Sequence, residues 1–354
     1  MGPVMPRVGA ICLVFGLALG AASAQEWRYP VRTAGGFGII TEAGEQIDAG
    51  PFAALTAFDE PLGPAKVEGR WGFVGQDGAW VIEPKYLEAD RFAGTCSDTA
   101  GDANDAACVA RVRTSDGWIL IDQAGRQVTA TAYPDLTPVG DGLAGYQGPV
   151  SDTPFKRPGL WGVLSVDGRE LSDPVLDGAA QPSEGLVPAQ RYRKFIFLRL
   201  ERRWGFVDAS GDWVIEPRFT SVRAFSDGLA LVSDGKQARY INAAGDSLLT
   251  VDYPAAHPFS NGLARVAEGP TVGFIDRSGD PVIPLRFEAA SDFAEGRAAV
   301  RLGGEWGYID TAGNWVIEPR FQVAGAFQGP LARVVDGGRE YYINGTGRIV
   351  WSGD

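Results

Sequence analysis

The chain has 354 residues, 45% hydrophobic and 21% charged, a balance that excludes wholesale disorder and a collagen-like or coiled-coil fibre. Its 48 Gly and 23 Pro call for many turns between short strands rather than long helices. A net charge of −12 argues against a generally basic nucleic-acid-binding face.

At the amino end, Arg7 precedes an apolar stretch from Val8 to Ala21, and Ala22-Ser23-Ala24 supplies the small residues of a cleavage site. Residues 1–24 read as a secretory signal peptide; the apolar run is shorter than the roughly 18 to 20 residues of a spanning helix. The expected mature chain begins at Gln25, in the periplasm or outside the cell, and is not an integral membrane protein. Losing Arg7 takes the net charge from −12 to −13, and losing Cys12 leaves Cys96 and Cys108 of the three cysteines. An oxidising compartment favours a bridge between these two, worth roughly 3 kcal/mol in chain entropy for so short a loop.

From residue 25 to 354 the sequence repeats. Glycines closing a D-x-x-G-like turn stand at Gly44, Gly78, Gly125, Gly168, Gly211, Gly245, Gly279, Gly313 and Gly347, spaced 34, 47, 43, 43, 34, 34, 34 and 34 residues apart. Nine units therefore share a 34-residue period with three insertions. Other columns keep step. Seven residues before the glycine stand Trp71, Trp118, Trp161, Trp204 and Trp306; eight after, residues such as Tyr86, Phe219, Phe287 and Phe321; fourteen after, Phe58, Phe92, Phe225, Phe259, Phe293 and Phe327.

The Asp or Asn three residues before most of these glycines suits a type I turn followed by a left-handed Gly, which closes a β-hairpin with a bulge. Trp204-Gly205-Phe206-Val207 then forms one strand and Trp213-Val214-Ile215 its return. The expected pairing sets Val207 against Trp213 and Gly205 against Ile215, with Trp204 and Phe206 on the opposite face. Both faces are apolar, so a unit cannot bury itself and stability must come from stacking neighbours. The fold class is all-β: a tandem array of nine roughly 34-residue hairpin or three-strand units, as a solenoid or superhelix or, alternatively, a closed propeller-like ring. Units two, five and eight share W-V-I-E-P-[KR]-[YF], at Trp80–Tyr86, Trp213–Phe219 and Trp315–Phe321, which suggests three hairpins per superhelical turn.

The Trp-Gly pairs at 71–72, 161–162, 204–205 and 306–307, with F-x-x-G-L-A-x-V at Phe225–Val232 and Phe259–Val266, resemble the WG-repeat family of bacterial proteins. The resemblance covers nearly the whole mature chain. It implies a β-repeat protein, often exported or joined to other modules, with a binding or scaffolding role and no shared reaction.

Insertions on a repeat scaffold commonly carry recognition. The first, between Phe92 and Val112, holds Cys96 and Cys108 around Asp98, Asp102 and Asp105; its spacing is wrong for an EF-hand, so it reads as an acidic loop pinned at its base. Units three and four each gain nine residues before the next Trp, giving two neighbouring protrusions. The second carries Arg191, Arg193, Lys194, Arg199, Arg202 and Arg203 against Glu201, a local +5 where the rest of the mature chain carries −18. Tyr192, Phe195 and Phe197 interleave with the cations, so this candidate patch suits an anionic polymer, a membrane surface or an acidic partner. The competing reading is that the cations neutralise the acidic body while the apolar run pairs with the neighbouring hairpin.

No G-x-S-x-G elbow, Walker loop or H-E-x-x-H occurs, and His257 is the one histidine, read as a loop residue. No cofactor or metal is implied. Glu83, Glu216 and Glu318 recur at one repeat position, which favours a structural hydrogen-bonding role over glycoside hydrolysis. Eight of the ten tryptophans fall in repeat columns, favouring core packing over sugar stacking; Trp27 and Trp351 suit terminal caps. The expectation is an exported, monomeric, non-catalytic scaffold binding a protein or peptide, without nucleic acid. A module for peptidoglycan or another cell-envelope polysaccharide is the alternative, and an enzyme the remote one.

Overall fold

The computed structural model describes residues 26–94, 96, 108–149, 159–195 and 199–353, and every regular element among them is a β-strand. The hairpin turns form as the residue types dictate. All nine turn glycines have φ between 74° and 89°, and each donates its N–H to the carbonyl three residues back, as Gly211 does to Asp208 and Gly313 to Asp310. The Asp or Asn side chain completes the turn: Asp310 Oδ1 accepts the amides of Ala312 and Asn314. The Ser210 hydroxyl at Asp208 and the Asn314 amide at Asp310 lead the donors that hold these carboxyls below the usual range.

The register departs from expectation at one point. Val207 does pair with Trp213, but Phe206, not Gly205, faces Ile215, and Trp204 pairs with Phe219. Pro217 has no N–H to give to the ladder, so residues 216–218 bulge across from the single Gly205. A Cβ on Gly205 would lie 2.2 Å from the Ile215 carbonyl oxygen, which is why glycine follows the tryptophan. Gly307 faces the same constraint, 2.5 Å from the Ile317 oxygen.

The hairpins assemble into nine antiparallel sheets, over residues 28–52, 54–86, 88–133, 136–176, 178–219, 221–251, 255–287, 289–321 and 323–352, here called sheets one to nine. The complete sheets have four strands rather than three, as in sheet six: Ser221–Val222, Ala230–Ser233, Ala238–Ile241 and Ser247–Val251. The additional first strand is the short stretch leading to the recurring Phe. Sheet one has three strands and lacks this inner strand among the described residues.

Both faces of each sheet are apolar, as the alternation requires. In sheet five, Phe206, Ile215 and Phe219 pack against Phe225, Val232 and Ile241 of sheet six, while Val187, Ala189 and Val207 pack against Leu143, Val163 and Leu176 of sheet four. Burying each large side chain contributes roughly 1.5–3 kcal/mol. The decisive observation is the number of such cores. Nine clusters separate successive sheets, including one between sheets nine and one, where Leu331 and Tyr342 meet Tyr29, Val31 and Ile40. An open row of nine sheets has one interface fewer.

The structure is therefore a closed ring of radially stacked sheets. Tyr29 donates its hydroxyl to the Gln328 carbonyl at 2.7 Å, and Tyr342 donates to the Pro30 carbonyl at 2.8 Å. Substantial strand contacts run within one sheet or between successive sheets. The expected three-unit superhelical turn, which would stack each unit on the third one along, is not formed. Trp27 and Trp351, expected to cap two ends, pack together on the same seam cluster.

A second ladder ties sheets to one another. Glu184 accepts the Gly228 amide, Asp227 the Gly262 amide and Asn261 the Gly296 amide, at 2.9, 2.7 and 2.9 Å. Beside it, the hydroxyls of Ser183, Ser226 and Ser260 donate to the carbonyls of Phe225, Phe259 and Phe293 in the following sheet.

Candidate functional site

The cationic segment forms a hairpin that outgrows its sheet. Strands Val187–Phe195 and Arg199–Val207 pair continuously, past the Gln190–Trp204 pair, through Arg191–Arg203, Tyr192–Arg202, Arg193–Glu201, Lys194–Leu200 and Phe195–Arg199. In sheet eight the equivalent ladder stops one pair beyond Arg301–Trp306. The inner neighbour Gly178–Ala179 reaches only Gln190 and Ala189, and the outer neighbour begins at Trp204. The distal part is thus a two-stranded ribbon that no third strand joins among the described residues.

Several predicted patch residues come together there. Arg191 is exposed, with its guanidinium 5.1 Å from the Trp213 ring centre. Arg202 lies over the Tyr192 ring at 5.0 Å and donates Nε–H to its hydroxyl at 2.6 Å. Arg203 pairs with Glu201 at 2.7 Å, the one carboxylate of the segment. Arg193, Lys194, Phe195 and Arg199 are placed by backbone register alone, and Phe197 lies outside the described residues. So do the unit-three insertion over 150–158 and the loop with Asp98, Asp102 and Asp105. Cys96 and Cys108 at that loop's base form a disulfide.

A cavity of about 510 Å³ opens where the inner strands of sheets two to five meet, lined in part by Glu60, Trp71, Asp90, Arg91, Arg111 and Gln181. Its charges are already matched. Arg91 forks onto Glu60 at 2.8 and 2.9 Å and onto Asp59 at 2.8 Å; Arg111 binds Asp90 at 2.7 Å and stacks 4.2 Å from the Trp118 ring centre. The sequence reading missed this cavity because its residues come from four units and meet only through the stacking of the sheets.

The lone histidine is not in a loop: His257 sits half-buried in strand Ala255–Ser260, its Nδ1 2.9 Å from Arg265 Nη2. Burial first, then the Arg265 charge, pushes its pKa down. Glu83, Glu216 and Glu318 are exposed and make no hydrogen bond with the described residues, which overturns their expected structural bonding role. The bulge at the following proline turns each toward solvent. The cation two residues on does the bonding instead at two of these sites, Arg218 and Arg320 donating to the Gly245 and Gly347 carbonyls, and Arg286 does the same to Gly313 in sheet seven, where Pro284 takes the place of the Glu. No three His, Cys, Asp or Glu side chains converge as a metal site among the described residues, and no helix there is long and apolar enough to cross a membrane.

The chain shares low similarity with several solved structures. Apo AztD from Citrobacter koseri aligns with a TM-score of 0.44 and 14% identity over 82% of this chain and 93% of that one. A protein of unknown function from Bacteroides caccae gives 0.28 and 14% over 80% and 89%. KlHsv2 with loop 6CD replaced by a Gly-Ser linker gives 0.32 and 9% over 48% and 62%, so the chain spans less than two thirds of that protein. No curated protein matches it in sequence. The WG containing repeat matches at residues 71–94, 204–236, 239–269, 273–306 and 306–339. With these five stretches and the same turn and aromatic columns in the units between them, the chain belongs to the WG-repeat family.

Proposed function

We propose that this ring is an exported, non-catalytic scaffold that binds a protein or peptide partner through the hairpin spanning residues 187–207. The observation that carries the reading is an imbalance of charge. Elsewhere many of the cations are absorbed: Arg91, Arg111, Arg265 and Arg333 each face a carboxylate, and Arg218, Arg286 and Arg320 clasp the next sheet's turn. On the ribbon, six cations share one carboxylate, on an element that contributes no pairing to the ring beyond Gln190. A concentrated charge clear of the body attracts an oppositely charged partner and speeds encounter. The polysaccharide alternative has less support, since none of the ten tryptophans is fully exposed.

The test is cross-linked recovery from the native envelope, using the mature chain and a variant with all six cations replaced by Ser. The intact chain is expected to retain one partner, released by 1 M salt, where screening shortens to about 3 Å. Equal recovery by the two chains would end this reading.

A further inference from the structure

We propose that the partner docks by adding an extended, acidic strand to the inner edge of the Val187–Phe195 strand, alongside Tyr192 to Phe195. This rests on the hairpin being the docking element and adds the mode of binding and the chemistry of the partner. In an antiparallel pair, successive residues alternate between turning their backbone groups toward the partner strand and away from it. Two hydrogen bonds fix the parity. Asp177 N–H donates to the Gln190 carbonyl at 3.0 Å, and Tyr192 N–H donates to Asp177 Oδ2 at 2.8 Å. Gln190 and Tyr192 thus face away from the Arg199–Val207 strand. Lys194, two residues on, has the same parity, so its N–H and carbonyl face outward with the Tyr192 carbonyl.

No described segment pairs with this edge beyond Tyr192. The inner strand Gly178–Ala179 stops short, and the Asp177 carboxylate takes the first free amide where a longer strand would have continued. A short extended peptide therefore fits in line with residues 178–179, bonded by Lys194 N–H and by the carbonyls of Tyr192 and Lys194. Strand addition of this kind draws affinity from the backbone and selectivity from alternate side chains.

Charge defines the occupant. By register, positions 191, 193 and 195 share one face with 203, 201 and 199, which sets Arg191 directly across from Arg203. Like charges so placed destabilise a ribbon, and the juxtaposition is relieved by carboxylates. An incoming strand with Glu or Asp at alternate positions supplies them along one face.

The probe is a fluorescein-labelled octapeptide of alternating Glu and Val, titrated by anisotropy against the mature chain. Lys194→Ser and Lys194→Pro both remove the ammonium, and Pro alone removes the outward N–H. The Pro variant is expected to bind roughly threefold to tenfold more weakly than the Ser variant, the worth of one hydrogen bond. A backbone N-methylated version of the peptide, tested on the unmutated chain, is expected to lose at least as much and guards against misfolding of the Pro variant. Equal binding of the two peptides, or of the two Lys194 variants, overturns strand addition while leaving the cationic hairpin in place. Undiminished binding by the six-Ser variant overturns the hairpin reading itself. Phosphatidylglycerol vesicles that bind both Lys194 variants alike and displace the peptide would assign the ribbon to a lipid surface and also refute the proposal.

Discussion

The junctions between sheets eight and nine and between sheets nine and one reach the same result with different parts. At the first, Tyr308 donates to the Gly325 carbonyl at 2.8 Å and its ring meets Phe327 at 4.9 Å; Phe327 comes from sheet nine's inner strand. At the second, Tyr342 donates to the Pro30 carbonyl at the same 2.8 Å and its ring meets Tyr29 at 5.3 Å. Among the described residues sheet one has no inner strand to supply the phenylalanine, and its strand Arg28–Thr33 supplies a tyrosine, whose hydroxyl also binds the Gln328 carbonyl and the Leu331 amide. Closure of the ring thus depends on filling an aromatic seat and satisfying nearby backbone groups, not on sharing a strand between first and last sheets.

The largest expected effect breaks both junctions alike. Tyr29→Ala and Phe327→Ala each remove a buried ring and should each cost about 3–5 kcal/mol in urea unfolding. If Tyr29→Ala is near neutral while Phe327→Ala is not, the seam contributes no closure. Next come the glycines behind the aromatics. Gly307→Ala drives a Cβ to 2.5 Å from a backbone oxygen, whereas at Gly38 the nearest atom is a Thr33 methyl at 3.2 Å. The first should cost about 1–3 kcal/mol and the second clearly less, read from the same unfolding curves.

Removing only hydroxyls sharpens the comparison further. Tyr308→Phe loses one hydrogen bond and should cost about 1 kcal/mol; Tyr29→Phe loses two and should cost up to about twice that. The smallest effect concerns the junction of sheets six and seven, where His257 is held neutral. Its folded pKa lies below the ordinary 6.5, so the unfolded chain takes up the proton first as pH falls. Stability should decline as pH drops below about 6.5 and level off below the folded value. Thermal unfolding of His257→Gln across that range should lose this component of the slope.

Much of this architecture is legible in the residues. Six of the nine turns follow from Asp or Asn three residues before Gly, and two apolar faces per hairpin follow from Trp204 and Phe206 alternating with Val207. The bulge at Pro217 was also readable, since a proline inside a strand forfeits a ladder bond, but its effect on register depends on how many residues loop out. Ring closure was not legible, because an open row and a ring demand the same columns; the difference resides in Tyr29, which stands where later units carry the Ala of G-L-A-x-V, as at Ala230 and Ala264. The inter-sheet ladder left a signal in the recurring Ser183-Glu184-Gly185, Ser226-Asp227-Gly228 and Ser260-Asn261-Gly262 triplets, whose bonding partners lie a whole unit away. For the hairpin, composition marked the patch, and pairing showed that no third described strand joins its distal part.

Closure is tested most directly by pulsed electron–electron distance measurement between spin labels at Glu45 and Arg348, exposed positions just after the first and last turn glycines. Labels at Asn314 and Arg348, equivalent positions on adjacent sheets eight and nine, provide the reference. A ring gives both pairs similar short distances. An open row, with sheets about 10 Å apart, would put the Glu45–Arg348 pair at about 80 Å and contradict the account.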